Sequence, residues 1–205
     1  FLLRYHYRTK DPQALSMVEL TLKKMACGGI YDQLGGGFHR YSTDAFWMTP
    51  HFEKMLYDNA LLSRVYLHAF QITGNSFYRR IIEETLGYLT REMLDPNGGF
   101  YSAQDADSDG MEGKYYVWQK EEIVSILGKD HGDKFCEYFG VTADGNFDGS
   151  NILFLPTNRG DVSGNIDTVD MSLPSEIEAS KEKLLSYRQE RESPATDDKI
   201  LTGWN

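Results

Sequence analysis

From Gly28 to Asn59 the chain reads GGIYDQLGGGFHRYSTDAFWMTPHFEKMLYDN, and no other stretch limits its folding so strongly. Five glycines, two histidines, an arginine, a tryptophan and three tyrosines crowd into one long turn. Glycine backbone reaches conformations closed to other residues and tolerates close approach, whereas an ordinary surface connector carries few bulky or reactive side chains. Binding residues concentrate on loops held by a rigid scaffold. The stretch is therefore expected to form one wall of a pocket, with the remaining chain as its support.

Helical periodicity surrounds it. Leu15, Val18, Leu22 and Met25 recur at helical spacing over 12–26, Asp11-Pro12 supplies an N-cap and a first-turn proline, and Gly28-Gly29 ends the helix. A second helix is expected from about His51 to Ile72, apolar nearly all round and so buried all round. A third spans 76–94 on the stripe Phe77, Ile81, Thr85, Leu89 and Met93, after a Gly74-Asn75 stop. One-faced, fully buried and one-faced helices in turn suggest the outer and inner members of a two-layered ring; a simple bundle is the alternative.

Past the turn Asp95-Pro96-Asn97-Gly98-Gly99, the β-prone runs FYSAQ and KYYVW flank DADSDGMEG as a hairpin-like excursion. Short helices are expected at 121–127 and 131–139, a turn at ADGNFDGSN, a brief strand at ILFLP, a surface loop over 157–172, and a charged outer helix over 174–192. The pairs Gly28-Gly29-Ile30-Tyr31 and Gly98-Gly99-Phe100-Tyr101 form a faint repeat, each after a one-faced helix and before a polar, aromatic loop.

Charge and composition exclude several function classes. Lys and Arg total 21 against 31 Asp and Glu, a formal charge of −10, which disfavours a nucleic-acid backbone or an anionic membrane as partner. No apolar run reaches the roughly 20 residues of a transmembrane helix, and the opening FLLRYHYRTKD is too short in apolar residues for a signal peptide. Cys27 and Cys136 lack a CxxC or metal spacing and read as buried thiols of a reducing compartment, so a cytoplasmic location is expected.

GGIYDQLGGGFHRYSTD with W and PHFEKMLYDNA, then GGFYSAQDADSDG with EG and YYVW, then DDKILTGWN, closely resemble the family of thioredoxin-domain-containing proteins that includes spermatogenesis-associated protein. The likeness spans nearly the whole chain. It implies an all-α fold, an (α/α)6 toroid similar to N-acylglucosamine 2-epimerases and six-hairpin glycosidases, here an incomplete fragment with short β excursions. Residues 1–205 would be the N-terminal part of that toroid, with the thioredoxin-like domain and the later hairpins absent from the chain. Gly203 departs from the Ser or Ala the family pattern suggests. In the related epimerases the acid/base histidines lie mostly in later hairpins, so their counterparts are expected to be missing.

On a regular helix over 49–72, His51, Met55, Asp58 and Leu62 would share one face, with Glu53 pointing away. His51, Asp58 and Asn59 would then line a funnel, a histidine beside a carboxylate suiting proton transfer near neutral pH; alternatively His51 buttresses the glycine loop through a backbone hydrogen bond. Tyr41, Trp47, Tyr101, Trp118 and Trp204 offer flat apolar faces suited to sugar rings, or pack in the core. The resemblance brings Gln104 and Asp105 to the same funnel, Asp105 as the preferred acid/base carboxylate and Asp58 as its partner in a hydrolytic pair. Arg40 completes the set of substrate contacts.

Asp105-x-Asp107-x-Asp109-Gly110 and Asp144-x-Asn146-x-Asp148-Gly149 begin like EF-hand loops, but Tyr116 and Leu155 stand at the twelfth position, so no metal or other cofactor is expected. The expected function is carbohydrate-active, epimerase-like or hydrolase-like, on a sugar or sugar-like polyol. The alternative is a non-catalytic binding module serving a thioredoxin-like redox domain. An inner helix missing its ring neighbours would expose an apolar flank, to be covered by the missing toroid half or by self-association.

Overall fold

The computed structural model describes residues 1–156 and 173–205; the surface loop expected over 157–172 lies outside them. Among the described residues are seven α-helices: α1 (Leu2–Thr9), α2 (Pro12–Cys27), α3 (Leu56–Thr73), α4 (Ser76–Tyr88), α5 (Lys120–Leu127), α6 (Lys129–Tyr138) and α7 (Ser175–Arg188). A π turn, Leu89–Met93, continues α4. Within the same described residues, seven two-residue strands form small antiparallel sheets: β1 (Tyr41–Ser42), β2 (Pro50–His51), β3 (Lys54–Met55), β4 (Ala103–Gln104), β5 (Asp107–Ser108), β6 (Met111–Glu112) and β7 (Thr196–Asp197).

Local chemistry fixes the helix ends. The Asp11 carboxylate accepts the Gln13 N–H at 2.9 Å and Pro12 occupies the first turn of α2. Gly74 takes a left-handed conformation at the end of α3, and Asn75 caps α4 by accepting the Phe77 N–H at 3.0 Å. Phe77, Ile81, Thr85, Leu89 and Met93 are all buried, the stripe that their spacing predicts. α1 is a helix that no sequence expectation covered.

Three packed units result: α1 with α2, α3 with α4, and α5, α6 and α7 together. One large core joins α2 through α7, centred on Ala26, Tyr66, Tyr78, Ile81, Trp118, Phe135 and Leu184. Each such aromatic or branched side chain contributes about 1.5–3 kcal/mol on burial. Tyr66 also donates its hydroxyl to the Leu22 carbonyl at 2.7 Å, tying α3 to α2. The fold is thus mostly helical with small antiparallel sheets.

Four expectations are corrected. Residues 50–55 are extended rather than helical: Tyr41 pairs with His51 and Ser42 with Pro50, while Lys54 pairs with Gln104 and Met55 with Ala103. Backbone groups there are satisfied across strands, so α3 starts only at Leu56 and His51 shares no helical face with Asp58. Next, α3 is not buried all round, because Leu61 is 60% and Leu67 40% exposed. Third, the hairpin closes inside DADSDGMEG, β5 against β6, while FYSAQ pairs with β3 and β7 instead of KYYVW. Last, ILFLP forms no strand; Asn151 makes one bridge to Trp118, and the Leu155 N–H reaches the Cys27 carbonyl.

Candidate functional site

Antiparallel pairing of β3 with β4 divides the neighbourhood of the glycine turn into two faces. Cross-strand partners point to the same side and successive residues to opposite sides. Lys54 and Gln104 therefore face inward together, and Glu53 and Asp105 outward.

The inward face carries an ion cluster. Asp32, in the glycine turn, accepts both terminal nitrogens of Arg188 at 2.8 and 2.7 Å, a forked pair, and the Lys54 ammonium at 2.9 Å. It also caps its own turn, accepting the Leu34 and Gly35 N–H groups at 3.1 and 3.0 Å. Burial alone would raise the Asp32 pKa, but Arg188 and Lys54 outweigh it and hold the carboxyl well below the usual range. Burial lowers Lys54 to about 8 despite Asp32, with Arg188 adding to the fall. Lys54 further donates to the Gly36 carbonyl at 2.9 Å and lies 4.2 Å from the Tyr88 ring centroid and 4.9 Å from that of Tyr116.

The glycines answer to this packing. A Cβ on Gly35 would collide with Arg188 and with the Asp32 carboxylate. One on Gly37, at φ +81°, would stand 2.5 Å from the Tyr88 ring. Asn59 locks the turn from α3: its carbonyl oxygen accepts the Phe38 N–H at 2.7 Å, and its amide donates to the Phe38 and Met55 carbonyls at 3.0 Å each. His39, buried between Phe52 and Tyr116, bonds the Phe52 carbonyl through Nδ1 at 2.8 Å; burial and then Lys54 push its pKa down to about 3. Backbone buttressing, one reading of His51, is thus performed by His39. A narrow crevice with about 10 Å³ of water-accessible space, room for about one water, opens above the cluster beside Tyr88, Arg91, Gln104 and Tyr116.

Outward, the rim gathers different groups. His51 meets Glu112 through Nδ1 at 2.7 Å and faces Glu53 through Nε2 at 3.6 Å, while its ring stacks on exposed Tyr41 with centroids 5.0 Å apart. Arg40 pairs with Glu53 at 2.8 Å. Asp58, half-buried in the first turn of α3, has an Oδ2 with no hydrogen-bond partner among the described residues. Burial raises its pKa, with Arg40 opposing and Glu53 reinforcing the shift. A histidine held by one carboxylate and open to a second is oriented for proton transfer.

Of the residues singled out from sequence, His51, Arg40 and Tyr41 meet on this rim, and Asp58 lies within its field. Asp105 belongs to the same outward face but spends Oδ1 on the Ala106 and Asp107 N–H groups, at 2.7 and 3.4 Å. Gln104 lies on the inward face, accepting the Tyr88 hydroxyl at 2.8 Å. Tyr101 donates to Asp95 at 2.8 Å, and Trp204 meets Tyr57 edge-on at 4.8 Å. Trp47 is half-buried at φ +62°. Asn59 and Trp118 are enclosed in the fold, and Arg191 stacks on the Trp118 ring at 3.9 Å.

Sequence reading missed Asp32, Lys54, Arg188, Glu53 and Glu112. Signals existed: Arg188 continues the buried stripe Ile177, Ser180, Leu184 of α7, and Lys54, two residues after buried Phe52, shares its face once the segment is read as extended.

Both aspartate loops are turns, with Asp109 paired to Lys114. Among the described residues no group of three or more His, Cys, Asp or Glu side chains is placed to hold a metal ion, and no helix is long and apolar enough to cross a membrane. Cys27 and Cys136 are buried and form no disulfide among the described residues, burial pushing their thiols up to about 12 and about 11.

No family model matches the chain. It is 40% identical, over 234 aligned positions, to spermatogenesis-associated protein 20 of Mus musculus and 38% identical to the Homo sapiens protein, each alignment covering 100% of this chain and 30% of the relative. An uncharacterized Caenorhabditis elegans protein is 34% identical, with 95% of this chain and 30% of that protein covered. Over its full length, therefore, the chain is homologous to a segment making up 30% of spermatogenesis-associated protein 20.

Proposed function

We propose that the chain contributes the first helical hairpins of an (α/α) toroid and that its outward rim binds a sugar or sugar-like polyol for proton-transfer chemistry, epimerase-like or hydrolase-like. One observation carries the reading: His51 stands between Glu112 and Glu53, with one ring face on exposed Tyr41. In this reading Glu112 orients the imidazole, His51 moves the proton, and Arg40 and Asp58 engage hydroxyls. Tyr41 offers an apolar face to the ring of the guest.

The test uses the full-length protein, whose thioredoxin-like domain and later hairpins belong to the family likeness. A panel of neutral mono- and disaccharides is screened by ligand-observed NMR, then repeated with His51→Gln. Binding or turnover that disappears in the variant at an unchanged melting temperature supports the rim. Sugar binding that His51→Gln and Tyr41→Ala both leave intact refutes it.

A second reading, a non-catalytic module that docks a partner, draws on the exposed Leu61 and Leu67 of α3. It gains ground if the saccharide panel is blank while substitution of those leucines by lysine weakens association within the full-length protein.

A further inference from the structure

Residues of the β5–β6 hairpin, of the stretch from Lys114 to Gln119 and of the chain just after α7 together line a cleft of about 350 Å³. That volume falls within the roughly 300–1,000 Å³ of sites that enclose small organic molecules, which pair apolar surface with a few polar groups. Tyr115 and Val117 supply the apolar surface here. Ser108 and Asp109 border the cleft from the hairpin, and Arg191 and Glu192 from beyond α7. None of these residues belongs to the rim around His51.

Charge around the cleft is uneven. Its lining holds the carboxylates of Asp109, Glu122 and Glu192 against the cations Lys114 and Arg191. Both cations are spent on the protein itself. Arg191 donates to Glu122 Oε1 at 2.9 Å and to the Tyr115 and Val117 carbonyls at 2.9 and 3.0 Å, and its guanidinium lies 3.9 Å from the Trp118 ring centroid. Lys114 pairs with Asp109. Glu192 is exposed and has no hydrogen bond or ion pair within the described residues. Gln119 donates its amide to Ser150 at 3.0 Å, which leaves its carbonyl oxygen open, as Glu122 Oε2 is. Acceptors in want of donors, one unbalanced negative charge and an apolar surface describe one kind of guest.

We propose that this cleft binds a small organic ammonium ion, its apolar body against Tyr115 and Val117 and its N–H groups donated to Glu192 and to the open oxygens of Glu122 and Gln119. Burial of the apolar body supplies the affinity, and Glu192 selects the charge. The site is separate from the rim, and its occupancy does not depend on the rim's binding a sugar.

Three probes on one apolar frame, phenylbutylammonium, phenylbutanol and phenylbutyrate, are titrated into the full-length protein at pH 7 and low ionic strength and followed by ligand-observed NMR. The ammonium should bind about fivefold more tightly than the alcohol, the upper worth of one exposed ion pair, and the carboxylate most weakly. Glu192→Gln should bring the ammonium level with the alcohol. Glu192→Lys should reverse the order of the two charged probes. Because Glu192 is exposed and unpartnered, neither variant should move the melting temperature. His51→Gln should leave the ammonium affinity alone, which separates this cleft from the rim. The proposal is overturned if none of the probes binds, if the ammonium has no advantage over the alcohol, or if that advantage survives both substitutions of Glu192.

Discussion

Replacing Asp32 by asparagine keeps the shape of the glycine turn's central side chain and deletes its charge. In the native protein that carboxylate accepts five hydrogen bonds, from Arg188 (two), Lys54, and the Leu34 and Gly35 N–H groups. The variant leaves two cations facing each other in the interior, and its amide NH2 meets donors where it needs acceptors. Breaking a buried pair by removing one partner costs about 3–5 kcal/mol. The upper part of that range, about 4–5 kcal/mol, is expected because two cations lose the same anion. For a domain of this size each kcal/mol moves the midpoint by about 2–4 °C, so the melting temperature should fall by roughly 8–20 °C. Circular dichroism melts at pH 7, with urea titrations to check that the m-value holds, measure it. Since the native fold depresses the Asp32 pKa, its stabilisation is full above the unfolded value near ~3.9 and declines as pH falls below it. The gap between parent and variant should therefore narrow only in acid. A midpoint within about 2 °C of the parent, less than 1 kcal/mol on this scale, would refute the reading of Asp32 as the anchor of the turn.

Lys54 adds a second pH signature: its folded pKa, about 8, lies below the ordinary lysine value, so the unfolded chain binds more protons and stability rises with pH above 8. The gain, about 1.5 kcal/mol between pH 8 and about 9.5, should appear in urea melts before unfolded tyrosines near ~10 begin to oppose it, and Lys54→Met should abolish it. Asn59→Ala strips three backbone groups of their buried partner and should cost about 3 kcal/mol, read as a lower urea midpoint at constant m-value; a loss below about 1 kcal/mol would mean that the turn holds itself.

Legibility followed the range of the determining forces. Helices α2 and α4 were readable because capping and periodicity are local: Asp11, Asn75 and the stripe from Phe77 to Met93 announce themselves within a few residues. The start of α3 was not, because what holds 50–55 extended is its pairing with 41–42 and 103–104, partners that no short window contains. That single misreading moved His51 onto a helix and turned Glu53 away from it, although both meet on the rim. Asn59 and Trp118 show a different difficulty. Their chemistry suits ligand contact and internal bracing equally, and only tertiary position separates the two. Arg188 was readable in principle from the α7 stripe, but its carboxylate partner lies 156 residues away.

That separation has a consequence for synthesis. A chain emerging at about 5–20 residues per second exposes Asp32 roughly 8–30 s before Arg188 leaves the ribosome. Through that interval Asp32 and Lys54 form a balanced one-to-one pair, and the glycine turn can close around it without a surplus charge. Arrival of α7 then inserts a second cation beside a carboxylate already engaged, at the moment the helix docks on α5 and α6. The nascent protein thus passes from a neutral cluster to a positive one as α7 seats.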